Sequence, residues 1–248
     1  MLVGLPVHSR GGYDWSMLQT DFAAEVLGRC RLFDGLRGEP LNALTRTLRS
    51  RRFRRGEVLF HEGDPGDALF IVASGAVKVV VPSEDGEEAI LATLRRGDFL
   101  GELALLDGAP RSASAIALEP TETLTLPRDQ FRSLVAGEPA IRDALLASVA
   151  TELRRLTTHV AELHFLDLTG RLAARLARLA EEHGERRPDG SILLDAPLTQ
   201  SDLAAMIGAT RQSVNKLLGE FESSGLIRIE RDSIVVTSLA ALANAARR

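Results

Sequence analysis

Residues 199–221 read TQSDLAAMIGATRQSVNKLLGEF, and this stretch predicts two short helices that meet at a tight turn. Thr199 stands where a helix N-cap is expected, and Asp202 follows at the third helical position, which is a variant of the capping box. Gly208 can end the first helix and Thr210 can cap the second. Two helices that cross around a glycine turn are typical of a helix-turn-helix.

The exposed face of the second predicted helix is polar. Its N-terminal end carries side chains that hydrogen-bond base edges and phosphates in the major groove of DNA. They are Arg211, Gln212, Asn215 and Lys216. Two β-branched runs within residues 225–236 predict a β-wing. An ordinary helical hairpin with a solvated polar face is the alternative, and the wing weighs against it.

Upstream, residues 139–166 predict a long helix with a regular apolar seam. The apolar residues recur at spacings of three and four, at Leu146, Val149, Leu153, Leu156, Val160 and Leu163. Because such a heptad repeat keeps one stripe facing a partner helix, the seam predicts a parallel coiled coil between two copies of the chain. Packing of the stripe on the chain's own β-domain is the alternative. Asp167 can cap the helix that follows and is the expected hinge.

Residues 53–126 have the pattern of short antiparallel strands. Apolar runs such as ALFIVAS and AVKVVV are separated by glycines at roughly the spacing of tight turns. This pattern predicts a β-barrel or jelly roll. The predicted fold class is therefore α+β, with an N-terminal β-roll, a long dimerisation helix and a C-terminal winged helix-turn-helix. The expected boundaries are a mobile extension at 1–20, the β-roll at 21–138, the dimerisation helix at 139–166 and the winged helix-turn-helix at 167–248.

Within the β-roll, residues 101–113 read GELALLDGAPRSA. We expect Gly101 and Glu102 to open a short helical turn and Arg111 and Ser112 to lie on a strand. The N–H groups of the helix start, the Arg111 fork and the Ser112 hydroxyl can hold a phosphate, while Glu102 can accept a hydrogen bond from a sugar hydroxyl. A structural salt bridge between Glu102 and Arg111 is the alternative.

Two leucines, Leu91 and Leu94, stand on a neighbouring predicted strand and can line a sugar and a base. The chain therefore has the side chains for a compact anion site with an apolar wall.

Composition bounds the other possibilities. The net charge is −4, and the charge is uneven, because residues 171–248 carry 11 basic and 10 acidic side chains whereas residues 1–170 carry 19 and 24. Only one of the five histidines, His61, lies in the predicted barrel, so a multi-histidine metal enzyme is disfavoured and we expect neither a metal nor catalysis. The single cysteine, Cys30, is expected to be a buried inert thiol. No apolar run is long enough for a membrane span, and we expect a cytoplasmic protein.

Three phrases resemble the phosphate-binding cassette, hinge and recognition helix of the cyclic-AMP receptor protein and fumarate-nitrate regulator family. They are GDFLGELALLDGAPRSASA, FLDLTGRLA and GATRQSVNKLLGEFESSGLI. The resemblance runs from Leu32 to Val236. It implies a homodimeric transcription regulator controlled by a cyclic nucleotide, with cyclic AMP as the first expected ligand. Its expected partners are double-stranded DNA and RNA polymerase, and no covalent cofactor is expected.

The resemblance also implies residue roles. The expected nucleotide-binding residues are Leu91, Gly101, Glu102, Leu103, Arg111, Ser112, Thr157 and Thr158. The expected base-reading residues are Arg211, Gln212 and Lys216, and the expected phosphate-contacting residues are Thr169, Thr199, Gln200, Thr210 and Ser213.

Some positions depart from the family pattern. Leu156 and Thr157 stand where the best-known member has Thr-Ser, which leaves one hydroxyl in register for the purine and keeps cyclic GMP, another effector or no nucleotide open. Gln212 replaces Glu and Lys216 replaces Arg, and because Gln favours adenine, an altered half-site is expected. The clustered N-terminal cysteines of the oxygen-sensing branch are absent, which argues against an iron-sulfur sensor.

Overall fold

The computed structural model describes residues 15–83, 87–194, 197–231 and 233–246. In these ranges the helices are α1 (Trp15–Leu27), α2 (Gly38–Thr47), α3 (Glu102–Asp107), α4 (Arg128–Gly137), α5 (Pro139–Phe165), α6 (Leu168–His183), α7 (Gln200–Ile207), α8 (Arg211–Ser223) and α9 (Leu239–Ala245). The strands are β1 (Arg49–Phe53), β2 (Val58–Phe60), β3 (Ala68–Ser74), β4 (Ala76–Pro82), β5 (Glu88–Arg95), β6 (Phe99–Leu100), β7 (Ser114–Ala117), β8 (Thr121–Pro127), β9 (Glu185–Arg186), β10 (Ile192–Leu194), β11 (Ile227–Glu230) and β12 (Ser233–Val236). A 3-10 turn covers Arg31–Phe33.

The N-terminal half is a β-roll of two antiparallel four-stranded sheets, as the strand pattern predicted. Their strand orders are β1-β8-β3-β6 and β2-β7-β4-β5. Because side chains alternate along a strand, each sheet turns one apolar face inward. The shared core holds Phe53, Leu59, Phe70, Val72 and Val77, all at most 6 % exposed.

Helices cover one side of the β-roll. Leu27 of α1, Phe131 of α4 and Ile141 and Leu145 of α5 form an apolar cluster with the outer side chains of β3 and β8. Helix α1 begins at Trp15, within the stretch 1–20 that was expected to be a mobile extension, and that expectation stays a prediction. Residues 1–14 lie outside the described residues.

Helix α5 matches the predicted dimerisation helix. Pro139 stands at its start, where a missing N–H costs nothing. The predicted seam is largely uncovered: Leu146, Leu153 and Val160 are 64–65 % exposed, whereas Val149 and Leu156 are half-buried. The exposed members therefore do not pack on the chain's own β-domain, contrary to the alternative. The helix ends before Asp167, whose carboxylate accepts the Gly170 N–H at 2.7 Å and caps α6, as predicted.

The C-terminal unit is a winged helix-turn-helix. Helices α6 to α9 pack on a sheet of strand order β11-β12-β10-β9, and its core includes Leu172, Leu176, Val214 and Phe221. Strands β11 and β12 form the predicted wing. Among the helices of the described residues, none has both the length and the apolar composition to cross a membrane.

Candidate nucleotide pocket and nucleic-acid interface

The segment from β6 to β7 forms a tight cassette built around Gly101. This glycine has φ +88° and is the N-cap of α3, directly after β6. A Cβ at this position would collide with the Arg111 guanidinium, so both the left-handed backbone and the close approach require glycine.

Arg111 is the buried centre of the cassette. It is 3 % exposed, and its guanidinium donates to the carbonyls of Gly101 and Ala68, each at 2.7 Å. The guanidinium also lies 4.3 Å from the centre of the Phe60 ring. Burial lowers its pKa, although the nearby carboxylates of Asp67 and Glu102 oppose this shift. Arg111 precedes β7, which begins at Ser114, so the expectation that Arg111 and Ser112 lie on a strand was wrong.

The acidic neighbours of Arg111 bear on the alternative for residues 101–113, which was a structural salt bridge between Glu102 and Arg111. In the part of the chain that the structure describes, the acid paired with Arg111 is Asp67, at 3.4 Å, and not Glu102. Burial raises the pKa of the Glu102 carboxyl, and the charge of Glu152 adds to this, while backbone hydrogen bonds and the Arg111 charge oppose it. Glu102 is thus a half-buried acceptor, and its carboxylate forms no ion pair with a described residue.

The remaining predicted pocket residues differ in exposure. Ser112 and Leu103 are exposed, and Leu91 and Leu94 are half-buried on β5. The Leu91 carbonyl accepts a hydrogen bond from Arg155 of α5 at 2.8 Å. Arg155 was not predicted, because one arginine beside a seam looks like any other solvated arginine. Its contact places α5 alongside β5, the strand that carries Leu91.

Thr157 and Thr158 lie on the exposed side of α5. Their hydroxyls donate to the carbonyls of Leu153 and Arg154, one turn earlier, at 2.9 and 3.1 Å. Within one protomer, these hydroxyls therefore bond their own helix rather than the cassette.

The helix-turn-helix has the local geometry that its sequence predicted. The Asp202 N–H donates to the Thr199 hydroxyl at 3.1 Å, and the Thr199 N–H donates to the Asp202 carboxylate at 2.9 Å, which completes the capping box. Gly208 ends α7 with φ +66°. The Thr210 hydroxyl accepts the Ser213 N–H at 3.2 Å and caps α8.

The polar face of α8 is open to solvent. Its exposed residues are Arg211, Gln212, Asn215 and Lys216. The Gln200 amide donates to the Asn215 side-chain oxygen at 3.1 Å and joins the start of α7 to this face. Among the described residues, none forms an ion pair with Arg211, whereas Lys216 has a long and exposed pair with Glu220 at 3.8 Å. Thr169 and Ser213 are half-buried, and Thr199 and Thr210 are exposed.

Two arginines that the sequence pattern did not single out stabilise the C-terminal unit. The Arg187 guanidinium bonds both oxygens of Glu230 at 3.1 and 2.9 Å and fastens the wing to the β9–β10 hairpin. Between α5 and α6, Arg171 donates to the carbonyls of Leu163 and Leu166 at 2.7 and 3.0 Å, which ties α6 to the end of α5. Sequence spacing alone does not distinguish these arginines from the many others.

Cys30 lies outside the two sites described above, and the metal-binding side-chain types of the described residues form no further site. Cys30 is fully buried, and desolvation raises the pKa of its thiol to about 12, in line with the expected inert thiol. Within the described ranges, no group of three histidine, cysteine or acidic side chains is arranged to hold a metal ion.

Comparisons with known proteins match both halves of the chain. Residues 50–138 match the cyclic nucleotide-binding domain, and residues 170–245 match the Crp-like helix-turn-helix domain. The chain is 37 % identical to a CRP-like cAMP-activated global transcriptional regulator of Mycobacterium tuberculosis, over 90 % of this chain and 99 % of that protein. It is 32 % identical to the cyclic AMP receptor protein of Thermus thermophilus, over 85 % of this chain and 94 % of that protein.

A solved structure has the same fold. A mutant of CooA from Carboxydothermus hydrogenoformans superposes with a TM-score of 0.72 at 27 % identity and covers 88 % of this chain and 95 % of its own.

Proposed function

Because the chain belongs to the cyclic-AMP receptor protein and fumarate-nitrate regulator family of transcription regulators, which are not enzymes, we propose that it is a homodimer whose DNA binding is controlled by cyclic AMP. The observation that carries this proposal is the pairing of an open, correctly capped α8 with a buried arginine cassette in one chain. We place it in the cytoplasm, where its DNA is, with RNA polymerase as a further partner.

The cassette fits a cyclic phosphate joined to a ribose. Arg111 supplies the positive charge, the exposed Ser112 hydroxyl supplies a donor, and Glu102 is placed to accept from a ribose hydroxyl. Gly101 lets the chain pass close to the Arg111 guanidinium, and Leu91 and Leu103 provide the apolar wall. Thr157 and Thr158 are assigned to the purine, which requires the ligand to reach the exposed side of α5.

The exposed seam of α5 supports the homodimer. Three large aliphatic side chains on one helix face are 64–65 % exposed, and in a monomer this apolar surface would stay in contact with water. Exposed apolar patches of this kind mark interfaces. A second copy of α5 in parallel would cover Leu146, Leu153 and Val160 by knobs-into-holes packing. Two-fold symmetry would then present two α8 helices to successive major grooves.

In this proposal α8 reads the DNA and α7 holds it. Arg211, Gln212 and Lys216 are the base-reading residues, and Thr169, Thr199, Gln200, Thr210 and Ser213 contact phosphates. Asp167 is the hinge about which the C-terminal units reorient. Cyclic AMP can change the balance between two orientations of the C-terminal units only as far as its affinities for those two orientations differ.

The direct test is titration calorimetry of the purified protein with cyclic AMP and then cyclic GMP. It is followed by fluorescence anisotropy on a duplex that the protein selects from a random library. Ser112→Ala is the matched variant, because Ser112 is exposed and its loss leaves the Arg111 contacts intact. We expect saturable cyclic AMP binding that Ser112→Ala weakens and that tightens DNA binding. The absence of any selected duplex would contradict the regulator itself.

A second candidate keeps the DNA binding but changes the effector. Leu156 favours it, because a half-buried leucine on α5 has no hydroxyl for a purine edge. In that case neither nucleotide produces heat while the selected duplex still binds.

A further inference from the structure

Glu152 and Arg155 form an ion pair on the side of α5 that contacts β5. The Arg155 Nη2 group donates to the Glu152 carboxylate at 2.9 Å and to the Leu91 carbonyl at 2.8 Å. The Arg155 side chain is only 19 % exposed, whereas that of Glu152 is 48 % exposed. Because a strand carbonyl holds the arginine, the pair has a fixed place beside β5.

The carbonyl that holds Arg155 belongs to a bulged residue. In the pairing of β4 with β5, Val79 faces Ala92 and the next residue of β4 faces Ile90. Leu91 is thereby the extra residue of a β-bulge, where the regular ladder of hydrogen bonds is interrupted. Leu91 is also a proposed wall residue of the nucleotide pocket. The ion pair therefore lies at the edge of that pocket.

Glu152 also acts on the cassette. Burial raises the pKa of the Glu102 carboxyl, and the negative charge of Glu152 adds to this. The two carboxylates repel each other, and Glu102 has no ion pair with a described residue. A ligand that donates one hydrogen bond to each carboxylate would offset this repulsion. A nucleotide can do so, because it carries donors on its ribose and on its base.

The pair has unused hydrogen-bonding groups of both kinds. In the part of the chain that the structure describes, no group accepts from Nε or Nη1 of Arg155, and none donates to the second oxygen of Glu152. A donor beside an acceptor matches a base edge that carries an acceptor beside a donor. Adenine has this pattern at N7 and its N6 amino group, whereas guanine has two acceptors there, N7 and O6.

We propose that Glu152 and Arg155 read the base of the nucleotide held by the cassette, with Glu152 accepting from the N6 amino group of adenine and Arg155 donating to N7. This inference rests on the proposed function, because it takes the cassette as the site of the ribose and phosphate. The pair lies within one turn of Leu156 and supplies polar groups that this leucine lacks. Glu152 selects against guanine, because O6 would face a carboxylate without a hydrogen between them.

Titration calorimetry of the full chain with cyclic AMP and cyclic GMP tests the role of Glu152. We expect the unchanged chain to bind cyclic AMP about tenfold tighter or more, and Glu152→Gln to lower this ratio about tenfold, because an amide can donate to O6. Glu181→Gln, at an exposed position on α6, is the matched control and should keep the ratio. A preference of the unchanged chain for cyclic GMP would overturn the assignment.

The role of Arg155 is tested with 7-deaza cyclic AMP, which lacks the N7 acceptor. We expect the unchanged chain to bind it about fivefold weaker than cyclic AMP, and Arg155→Leu to bind the two ligands alike. Arg154→Leu, at the exposed neighbouring position, should keep the fivefold difference. If Arg155 only supported the Leu91 wall, Arg155→Leu would weaken both ligands by the same factor. That result, or equal binding of the two ligands by the unchanged chain, overturns its role.

The outcomes separate this inference from the proposed function. Binding of cyclic AMP with the same preference over cyclic GMP in the unchanged and Glu152→Gln proteins overturns the reading of the base alone. Binding of neither nucleotide by the unchanged chain overturns the proposed control by cyclic AMP as well.

Discussion

The two sets of side chains that we propose bind phosphate are built in opposite ways. Arg111 in the β-roll is 3 % exposed and already donates to two backbone carbonyls, whereas Arg211 at the start of α8 is exposed and forms no ion pair with a described residue. A small ligand that is enclosed benefits from a donor held in place before it arrives. A duplex that docks from solvent needs side chains that can adjust. The difference indicates that Arg111 contributes both to the stability of the fold and to ligand binding, whereas Arg211 on α8 contributes to binding alone.

Replacement of the buried arginine should have the largest effect. Arg111→Leu removes both bonds to the carbonyls of Gly101 and Ala68 and leaves these acceptors without their donor. We expect a loss of about 3 kcal/mol in the free energy of unfolding together with loss of nucleotide binding. Urea denaturation and calorimetry measure the two effects. Ser112→Ala is the control and should weaken binding without a change in stability; an unchanged stability of Arg111→Leu would contradict the coupling.

Replacement of the exposed arginine should affect binding alone. We expect Arg211→Ala to weaken binding of the selected duplex by about 1–3 kcal/mol, the typical discrimination of a base-reading contact. Its melting temperature should equal that of the unchanged protein, since Arg211 has no ion pair to lose among the described residues. Anisotropy and calorimetric melting test this pair of outcomes. Arg46→Ala, an exposed arginine on α2 of the β-roll, is the matched control for lost charge.

A cap at the start of α8 should show an intermediate effect. Thr210→Ala removes the acceptor for the Ser213 N–H and should lower the free energy of unfolding by about 1 kcal/mol. DNA binding should weaken as well, because the same helix end carries Arg211. Thr210→Ser retains a hydroxyl and should restore both properties in parallel melting and binding assays. A Thr210→Ala protein as stable as the Thr210→Ser protein would show that the cap contributes nothing.

Acidification should have the smallest effect. Burial lowers the pKa of His183, and the positive charge of Arg95 adds to this, so the folded chain binds a proton less readily than the unfolded chain. Stability is therefore retained above the ordinary histidine pKa of 6.5 and falls as the pH drops below it. His183→Gln should flatten this part of the curve of unfolding free energy against pH. A His183→Gln protein whose curve keeps the original slope would contradict this assignment.

Local sequence patterns were sufficient to predict the features that residues close together in the sequence form. The capping box of Thr199 and Asp202, the αL end at Gly208 and the cap at Thr210 each involve residues at most four apart, and each was predicted. The seam of α5 was also predicted, because a heptad repeat is written in spacing alone. The start of α1 was missed, since residues 1–20 lack a clear apolar period.

Long-range contacts were not predictable in this way. Arg155, Arg171 and Arg187 are three of many arginines, and only the folded chain shows which carbonyls and carboxylates they reach. Asp202 was predicted as part of a cap, but its second partner, Lys78, is 124 residues away in the chain.

The sequence by itself therefore determined the α+β class, the order of β-roll, long helix and winged helix-turn-helix, and the polar face of α8, because periodicity and capping act over a few residues. Only the tertiary structure decided that Arg111 is tied to the backbone, that Leu91 forms a bulge beside α5, and that Lys78 joins the two halves. Those features depend on which distant residues meet in the folded chain, as Val80 and Ile90 meet the cluster of the C-terminal unit, and no local spacing encodes that choice.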